Sequence, residues 1–414
     1  MKDPRAKELL VELFDELCSL VPKEKMPYIH IGTDEASKAV ERVNDDYLPA
    51  IHAIIHKNER DVIGWVHGMH IPGDTKQIQQ TWASSKPYDG LRHIDSRANY
   101  LNYLQPLNFA TRMHFQQPCR QPHGDDMNLG GILCYWPDTK IDDENQGMLN
   151  SPVLSAIVAY SEAVWKGIAQ DRPEYWVKIP PRGSAEHASY VDFEERLIEQ
   201  RDRFMVGKPF RVVRTHQIDW RYLGPCTEDQ FPELDKGIIK DSYTADGETF
   251  AWSEPIHGAV INIRHFFSFQ SHVASHPKGK NIVWANTSIY SDKDQTVDAW
   301  IDFNTIASSG YKGGEKLRPQ GQWDMNQSCN IWINGESIAP PTWESTQQGY
   351  EHALTNEPYA ARPPSQISLK KGWNSVLVKS GRAYKWVFSF SPIAIGKDGM
   401  VREGEGRKYS ATPQ

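Results

Sequence analysis

Apolar residues recur at helical spacing from about Ala6 to Leu20, with Leu10, Leu13, Phe14 and Leu17 on one side, and Pro22 ends the run. A short strand with a buried character follows at Tyr28 to Ile31. Two helical pieces come next, Ala36 to Asp46 carrying Ala39, Val40 and Val43, and Pro49 to His56 carrying Ile51, Ile54 and Ile55, with Pro49 suited to a first turn. Asp61-Val62-Ile63-Gly64-Trp65 and Ile78-Gln79-Gln80-Thr81-Trp82 read as strands; across a polar loop region rich in Arg and Gln, so does Gly131-Ile132-Leu133-Cys134-Tyr135-Trp136. Ser151 to Trp165 predicts a helix burying Val153, Ile157, Tyr160 and Val164, and Tyr190 to Phe204 another burying Phe193, Leu197 and Phe204. Short strands with helical crossovers predict a parallel α/β architecture over this first half.

Beyond Lys208 the pattern changes. Lys208 to Phe250 is irregular and rich in turn residues. From there the period becomes two, in Val260 to Ile263, Asn281 to Trp284, Asp298 to Phe303, Asn330 to Ile333, Ser375 to Val378 and Lys385 to Phe388. Asn334-Gly335 directly after a strand predicts a tight hairpin, because both positions tolerate positive φ. Strands without intervening helices argue for a β-sandwich. The expected organisation is therefore an α/β region over 1–207, a connection over 208–244, an all-β domain over 245–400 and a polar, frayed tail over 401–414.

A chain of 414 residues is long enough for two such domains. A formal net charge of −7, with charges scattered and no basic stripe, excludes a nucleic-acid partner. Five cysteines, widely spaced and odd in number, suggest neither a zinc site nor a full disulfide framework. His67, His70, His93, His114 and His123 match no ligand spacing, so no metal and no cofactor is expected. The residues up to Lys7 are mostly charged and read as no secretory signal, and no run is long enough for a membrane span.

The candidate chemistry sits in Tyr28-Ile29-His30-Ile31-Gly32-Thr33-Asp34-Glu35. Gly32 lets the backbone leave the strand, so that both acids can meet one ligand. The plainer reading is an exposed acidic pair opening the next helix, where carboxylates meet the positive end of the helix dipole. The His-x-Gly-x-Asp-Glu pattern resembles the signature of glycoside hydrolase family 20, the β-N-acetylhexosaminidases, and Trp65, Trp82, Tyr100-Leu101-Asn102 and Trp136-Pro137-Asp138 continue the match in order over roughly the first half of the chain.

That resemblance implies a retaining exo-β-N-acetylhexosaminidase acting on a glycan with a terminal N-acetylhexosamine. Two adjacent acids suit the substrate-assisted mechanism, in which the 2-acetamido oxygen attacks the anomeric carbon and forms an oxazolinium ion. Glu35 would be the general acid and then the base, its pKa raised by the neighbouring ionised carboxylate. Asp34 would orient the acetamido nitrogen and Tyr100 would donate to its oxygen. Trp65, Trp82 and Trp136 would wall the pocket, with His30 beside them. Asn102 and Asp138 stand where the family has Asp and Glu, at positions that bind sugar hydroxyls; the substitutions leave the choice between glucosamine and galactosamine open. The remaining aromatic wall of the family has no tryptophan here, with Phe109 and Phe115 the candidates to replace it.

The resemblance also implies a (β/α)₈ TIM-type barrel with catalytic residues at strand C-terminal ends. Only strands 4 to 8 have counterparts, so the barrel is partial, and an early arginine and an acid-histidine pair of the family are missing with strands 1 to 3. Members are commonly exported, which implies an upstream portion. Ile331-Trp332-Ile333-Asn334-Gly335 and Leu369-Lys370-Lys371-Gly372-Trp373-Asn374 resemble galactose-binding-like jelly rolls, for which sugar binding and plain support are equally open. The alternative is a catalytically incomplete fragment acting as a binding or structural module, whose open edge would be covered by another copy in a homo-oligomer.

Overall fold

The structure is a computed structural model describing residues 4–34, 38–66, 68, 70–82, 86–97, 99–101, 105–135, 152–265, 270–303, 307–308, 316–317, 321–324, 327–341, 363–382, 386–404 and 407–412. Two compact units divide the chain differently from the expected boundary at residue 207. One comprises residues 1–100 and 117–134, the other 101–116 and 135–414.

The first unit is built on a parallel sheet. Helix α1 (Pro4–Leu20) precedes strand β1 (Tyr28–His30), and helix α2 (Lys38–Lys57) leads to β2 (Asp61–Trp65), β3 (Gln77–Thr81), β4 (Arg92–Asp95) and β5 (Asn128–Gly131). The strands lie side by side in chain order, all parallel, with β1 and β5 at the edges. Ile29 of β1 and Val62 of β2 pack with Cys18 of α1 and Ile51, Ile54 and Ile55 of α2 in one apolar cluster. Since side chains alternate along a strand, His30, Trp65 and Gln80 belong to the opposite face.

Four expectations for this unit are corrected. The two helical pieces are one helix with Pro49 inside it. Helix α1 buries Cys18 and half-buries Leu10, Val11 and Phe14, while Leu13 and Leu17, expected inside, are exposed together with Leu9 and Leu20. The polar region read as loop contains β4. The fifth strand ends at Gly131 rather than Trp136, and residues 132 and 133 have already left it.

Strand β3 forms where it was expected, one residue earlier, although its sequence is largely polar. All five residues are buried, yet three are glutamines. The Gln77 amide donates to the carbonyls of Ile71 (2.5 Å) and Asp74 (2.6 Å), and that of Gln79 to those of Tyr88 (2.8 Å) and Leu91 (3.2 Å). Their own oxygens accept from the Ile71 and Tyr88 amides. Loops rather than a helix lie against these side chains, and amides satisfy loop backbone that Val or Ile would leave unpaired.

The second unit contains two antiparallel sheets around one core. One sheet runs in the order Val260–Arg264, Trp386–Ile395, Gln295–Phe303, Ser365–Leu369; the other in the order Glu336–Ser337, Asn330–Ile333, Gly372–Gly381, Ile282–Ser291, Asp219–Cys226, Ile256–His257. Residues of both, including Ile261, Phe388, Ile301, Val283, Ile331 and Val376, share a single hydrophobic cluster, as in a sandwich. The segment expected to be irregular supplies the long strand Asp219–Cys226, and the tail expected to fray pairs through Val401–Glu403 and Lys408–Ser410. Helices Val153–Lys166 and Ala185–Arg203 belong to this unit. The first buries Val153, Ala156, Ala159 and Tyr160 and exposes Ile157 and Val164; the second buries Phe193 and Leu197 and exposes Phe204.

The Asn334-Gly335 turn forms as expected, with φ of 52° and 82°. The Asn334 amide donates to Asn374 Oδ1 at 2.7 Å, and Asn374, fully buried, returns its own amide to the Lys370 carbonyl at 2.8 Å. The two segments singled out in the sequence are thus one pair of mutually braced turns, and bracing accounts for both asparagines.

Candidate functional site

The C-terminal edge of the parallel sheet collects polar side chains. His30 ends β1, Trp65 ends β2, Gln80 and Thr81 end β3, and Asp95 ends β4. After β1 the chain turns sharply, with φ of 74° at Gly32 and 85° at Thr33, and the Gly32 carbonyl accepts from the Trp65 amide at 2.9 Å. Gly68, in the loop after β2, lies so close to the Thr33 carbonyl that a Cβ there would overlap it. The loops following β1 and β2 are therefore held together by backbone contact.

His30 has a defined tautomer. The Gly32 amide donates to its Nδ1 at 3.0 Å, so Nδ1 carries the lone pair and Nε2 the proton. Nε2 donates to Gln80 Oε1 at 2.9 Å, and the Gln80 amide donates on to Ser96 Oγ at 2.6 Å. This orients the amide of a residue that is only 2 % exposed. His30 is open to solvent on one side, but packing around its ring lowers its pKa, against the opposing Gln80 bond and the charge of Asp34. Trp65 is buried and meets the His30 ring edge-on, with centroids 5.6 Å apart.

Asp34 follows in the turn and is exposed, and Glu35 lies outside the described residues. Trp82 stands one residue past β3, half-buried, its Nε1 donating to the Val66 carbonyl at 2.8 Å. Tyr100 bridges to Cys134. Asn102, Trp136 and Asp138 also fall outside the described residues. Phe109 and Phe115 are both buried in the second unit, where Phe115 packs against Tyr175 and Tyr190, so neither offers an open aromatic wall there. His30, Trp65 and Trp82 are thus brought to one edge of one sheet, with Asp34 in the loop beyond it.

Asp95 was not singled out in the sequence. It is 1 % exposed and accepts from the Arg97 amide (2.8 Å), Thr81 Oγ1 (3.3 Å) and the Cys119 amide (3.0 Å), with the Arg97 guanidinium 3.2 Å away. A carboxylate so saturated positions the loops beyond β4 rather than reacting. Its signal was an acid ending a strand that the polar surroundings concealed. The Cys119 thiol donates to the Gly130 carbonyl at 3.2 Å, and burial pushes its pKa up to about 11, so it stays protonated and inert. None of the five cysteines is in a disulfide, and no helix among the described residues is long and apolar enough to cross a membrane.

The second unit carries an open polar depression of about 400 Å³, lined by Lys240, Asp241, Asn286, Thr287, Ser288 and Ser375, with Gly237 and Ile239. The Asn286 amide nitrogen is buried and has no partner among the described residues. No aromatic ring is among the described residues of the lining.

No family model and no curated protein matches the chain. Among solved structures it is similar to the family 20 β-N-acetylhexosaminidase of Streptomyces coelicolor, at 18% identity over 32% of this chain and 26% of that one, with a TM-score of 0.20. A Streptomyces plicatus N-acetyl-β-hexosaminidase in complex with thio-NAglucal is similar at 20% identity over 48% of this chain and 41% of that one, TM-score 0.22. A family 35 carbohydrate-binding module from an environmental isolate is similar at 15% identity over 31% of this chain and 72% of that one, TM-score 0.19. The chain therefore spans 26% and 41% of the lengths of these two hexosaminidases.

Proposed function

We propose that this chain carries part of the active site of a retaining β-N-acetylhexosaminidase that removes terminal β-linked N-acetylglucosamine or N-acetylgalactosamine. The observation that carries the reading is the coincidence of the His-x-Gly-x-Asp-Glu segment with the C-terminal edge of a parallel sheet, where His30, Trp65 and Trp82 also stand. In this reading Glu35 protonates the glycosidic oxygen while the substrate's acetamido oxygen attacks the anomeric carbon. Asp34, accessible to solvent, receives the acetamido N–H and stabilises the positive charge of the oxazolinium ion. Glu35 then deprotonates the water that opens the ring. Tyr100 donates to the acetamido oxygen; Trp65, Trp82 and Trp136 enclose the sugar; Asn102 and Asp138 bind its hydroxyls. The partial TIM-type barrel and the galactose-binding-like jelly roll belong to the same proposal.

Hydrolysis of an aryl N-acetyl-β-glucosaminide tests it, with Glu35→Gln abolishing turnover and a thiazoline mimic of the oxazolinium ion binding tightly. Turnover that persists in Glu35→Gln removes that residue from its role.

A second reading is favoured by the edge position of β1, which has one strand neighbour among the described residues, and by the exposure of Asp34: a sugar-binding or structural module without turnover, which associates with another copy at the sheet edge. A monomer in sedimentation that binds glycans without cleaving them supports binding alone; a larger species with turnover supports an active site completed by association.

A further inference from the structure

We propose that His52, His56 and Asp74 form a binding site for a divalent transition-metal ion of the zinc class, at the end of the parallel sheet away from the candidate active site. His52 and His56 are four residues apart on α2 and so share a face of the helix. Asp74 comes from the connection that enters β3. His52 Nδ1 lies 2.7 Å and His56 Nε2 2.9 Å from the same oxygen, Asp74 Oδ2. The three donor atoms all fall within 4.8 Å of one another.

The hydrogen-bond geometry around the two rings suits a bound cation. His56 Nδ1 is 2.9 Å from the Arg60 carbonyl, which can only accept, so Nδ1 bears a proton. In neutral imidazole Nε2 then carries a lone pair, and here it faces a carboxylate. Asp74 Oδ1 accepts from the Lys76 amide at 2.9 Å, which leaves Oδ2 as the oxygen facing both rings. Two acceptors 2.9 Å apart require a positive species between them, either a second proton or a metal ion. The Arg60 carbonyl is the kind of outer partner that fixes the tautomer of a ligating histidine. His52 is buried, and it is the neutral imidazole that ligates a metal. Its Nε2 has no partner among the described residues, so shifting its proton there to free Nδ1 breaks no bond on that side.

Two histidines and a carboxylate suit zinc, with ligand distances of about 2.0–2.2 Å. Tetrahedral geometry at those lengths spaces the donors by roughly 3.3 Å, so the Asp74 carboxylate needs to withdraw by about half an ångström and the two imidazole nitrogens, within 4.8 Å of each other, to settle at that spacing. His56 and Asp74 are only partly buried, leaving room for water as fourth ligand. The cluster lies where α2 ends before β2 begins, so the ion would pin the helix to the β2–β3 connection as a structural centre.

The test uses the full chain, stripped with EDTA and titrated with Co²⁺ and then Zn²⁺. One Co²⁺ per chain is expected, with the visible absorption of a four-coordinate site that Zn²⁺ abolishes, and a Zn²⁺-loaded melting temperature above that of the stripped protein. His56→Gln and Asp74→Asn, both at partly exposed positions, should weaken binding by more than the roughly 100-fold that an outer-partner change costs. His123→Gln, exposed and elsewhere, should not. Absence of the cobalt spectrum, an unmoved melting temperature in excess Zn²⁺, or equal binding by all variants overturns the proposal and leaves the second proton as the species between His56 and Asp74.

Discussion

Acidification should weaken the second unit through His114. This side chain is 8 % exposed, stacks on Phe193 at 4.7 Å and shares a hydrogen bond of 3.0 Å between Nε2 and Ser189 Oγ. Burial, with the nearby charges of Arg196 and Lys166, lowers its pKa from 6.5 to about 4. The unfolded chain therefore binds the proton more tightly than the native one, and unfolding takes up a proton between those values. Its contribution is fully present above about pH 6.5 and is lost as the pH falls toward 4. At about 1.4 kcal/mol per pH unit the whole loss is about 3 kcal/mol, of which about 2 kcal/mol is gone at pH 5. Other histidines, including His272, are lowered in the same direction, so the comparison must be with a variant. Gln at position 114 keeps a donor for Ser189 and cannot titrate. Urea unfolding of wild type and His114→Gln at pH 7, 6 and 5, followed by circular dichroism and tryptophan fluorescence with coincident transitions, gives the difference directly. It should shift by about 2 kcal/mol in favour of the variant between pH 7 and 5. A difference constant within about 0.5 kcal/mol, or an imidazole that titrates above pH 6 by NMR, refutes the reasoning.

Three further outcomes are expected. Arg60 is buried and donates to the carbonyls of Cys18 (2.5 Å), Val21 (2.6 Å) and Met26, closing the C-terminal end of α1. Arg60→Met should cost about 3–5 kcal/mol, visible as lost amide-exchange protection in α1, whereas undiminished protection would show that water replaces the guanidinium at no cost. Gln80→Leu leaves Ser96 without its donor and should cost about 2 kcal/mol. Because the Gln80 bond raises the His30 pKa, the same change should lower it further in an NMR titration, and a rise would contradict the relay. Gly68→Ala should displace the Thr33 backbone and, if the proposed activity holds, reduce kcat/KM on the aryl glycoside while circular dichroism stays native; unchanged kinetics would separate that loop from the site.

Local chemistry determined a good deal by itself. Asp61–Trp65 and Asn330–Ile333 form as strands because their residues favour pleated, buried surfaces, and Asn334-Gly335 turns because both positions accept positive φ. The succession of a parallel sheet and then antiparallel sheets follows from the change of hydrophobic period near residue 250. Other features depend on what packs against each residue. Strand β4 looks like loop because polar and charged residues dominate it, and the glutamines of β3, though legible as a strand, are suitable core only because of the loops that cover them. The buried face of Val153–Lys166 rotated away from Ile157 and Val164 because helical spacing offers more than one apolar stripe, and the neighbouring element chooses. His52, His56 and Asp74 show the same limit: the helix pairs the two histidines, but only the crossover brings the carboxylate 2.7 and 2.9 Å from them, since a separation of some twenty residues says nothing about distance until the chain has folded.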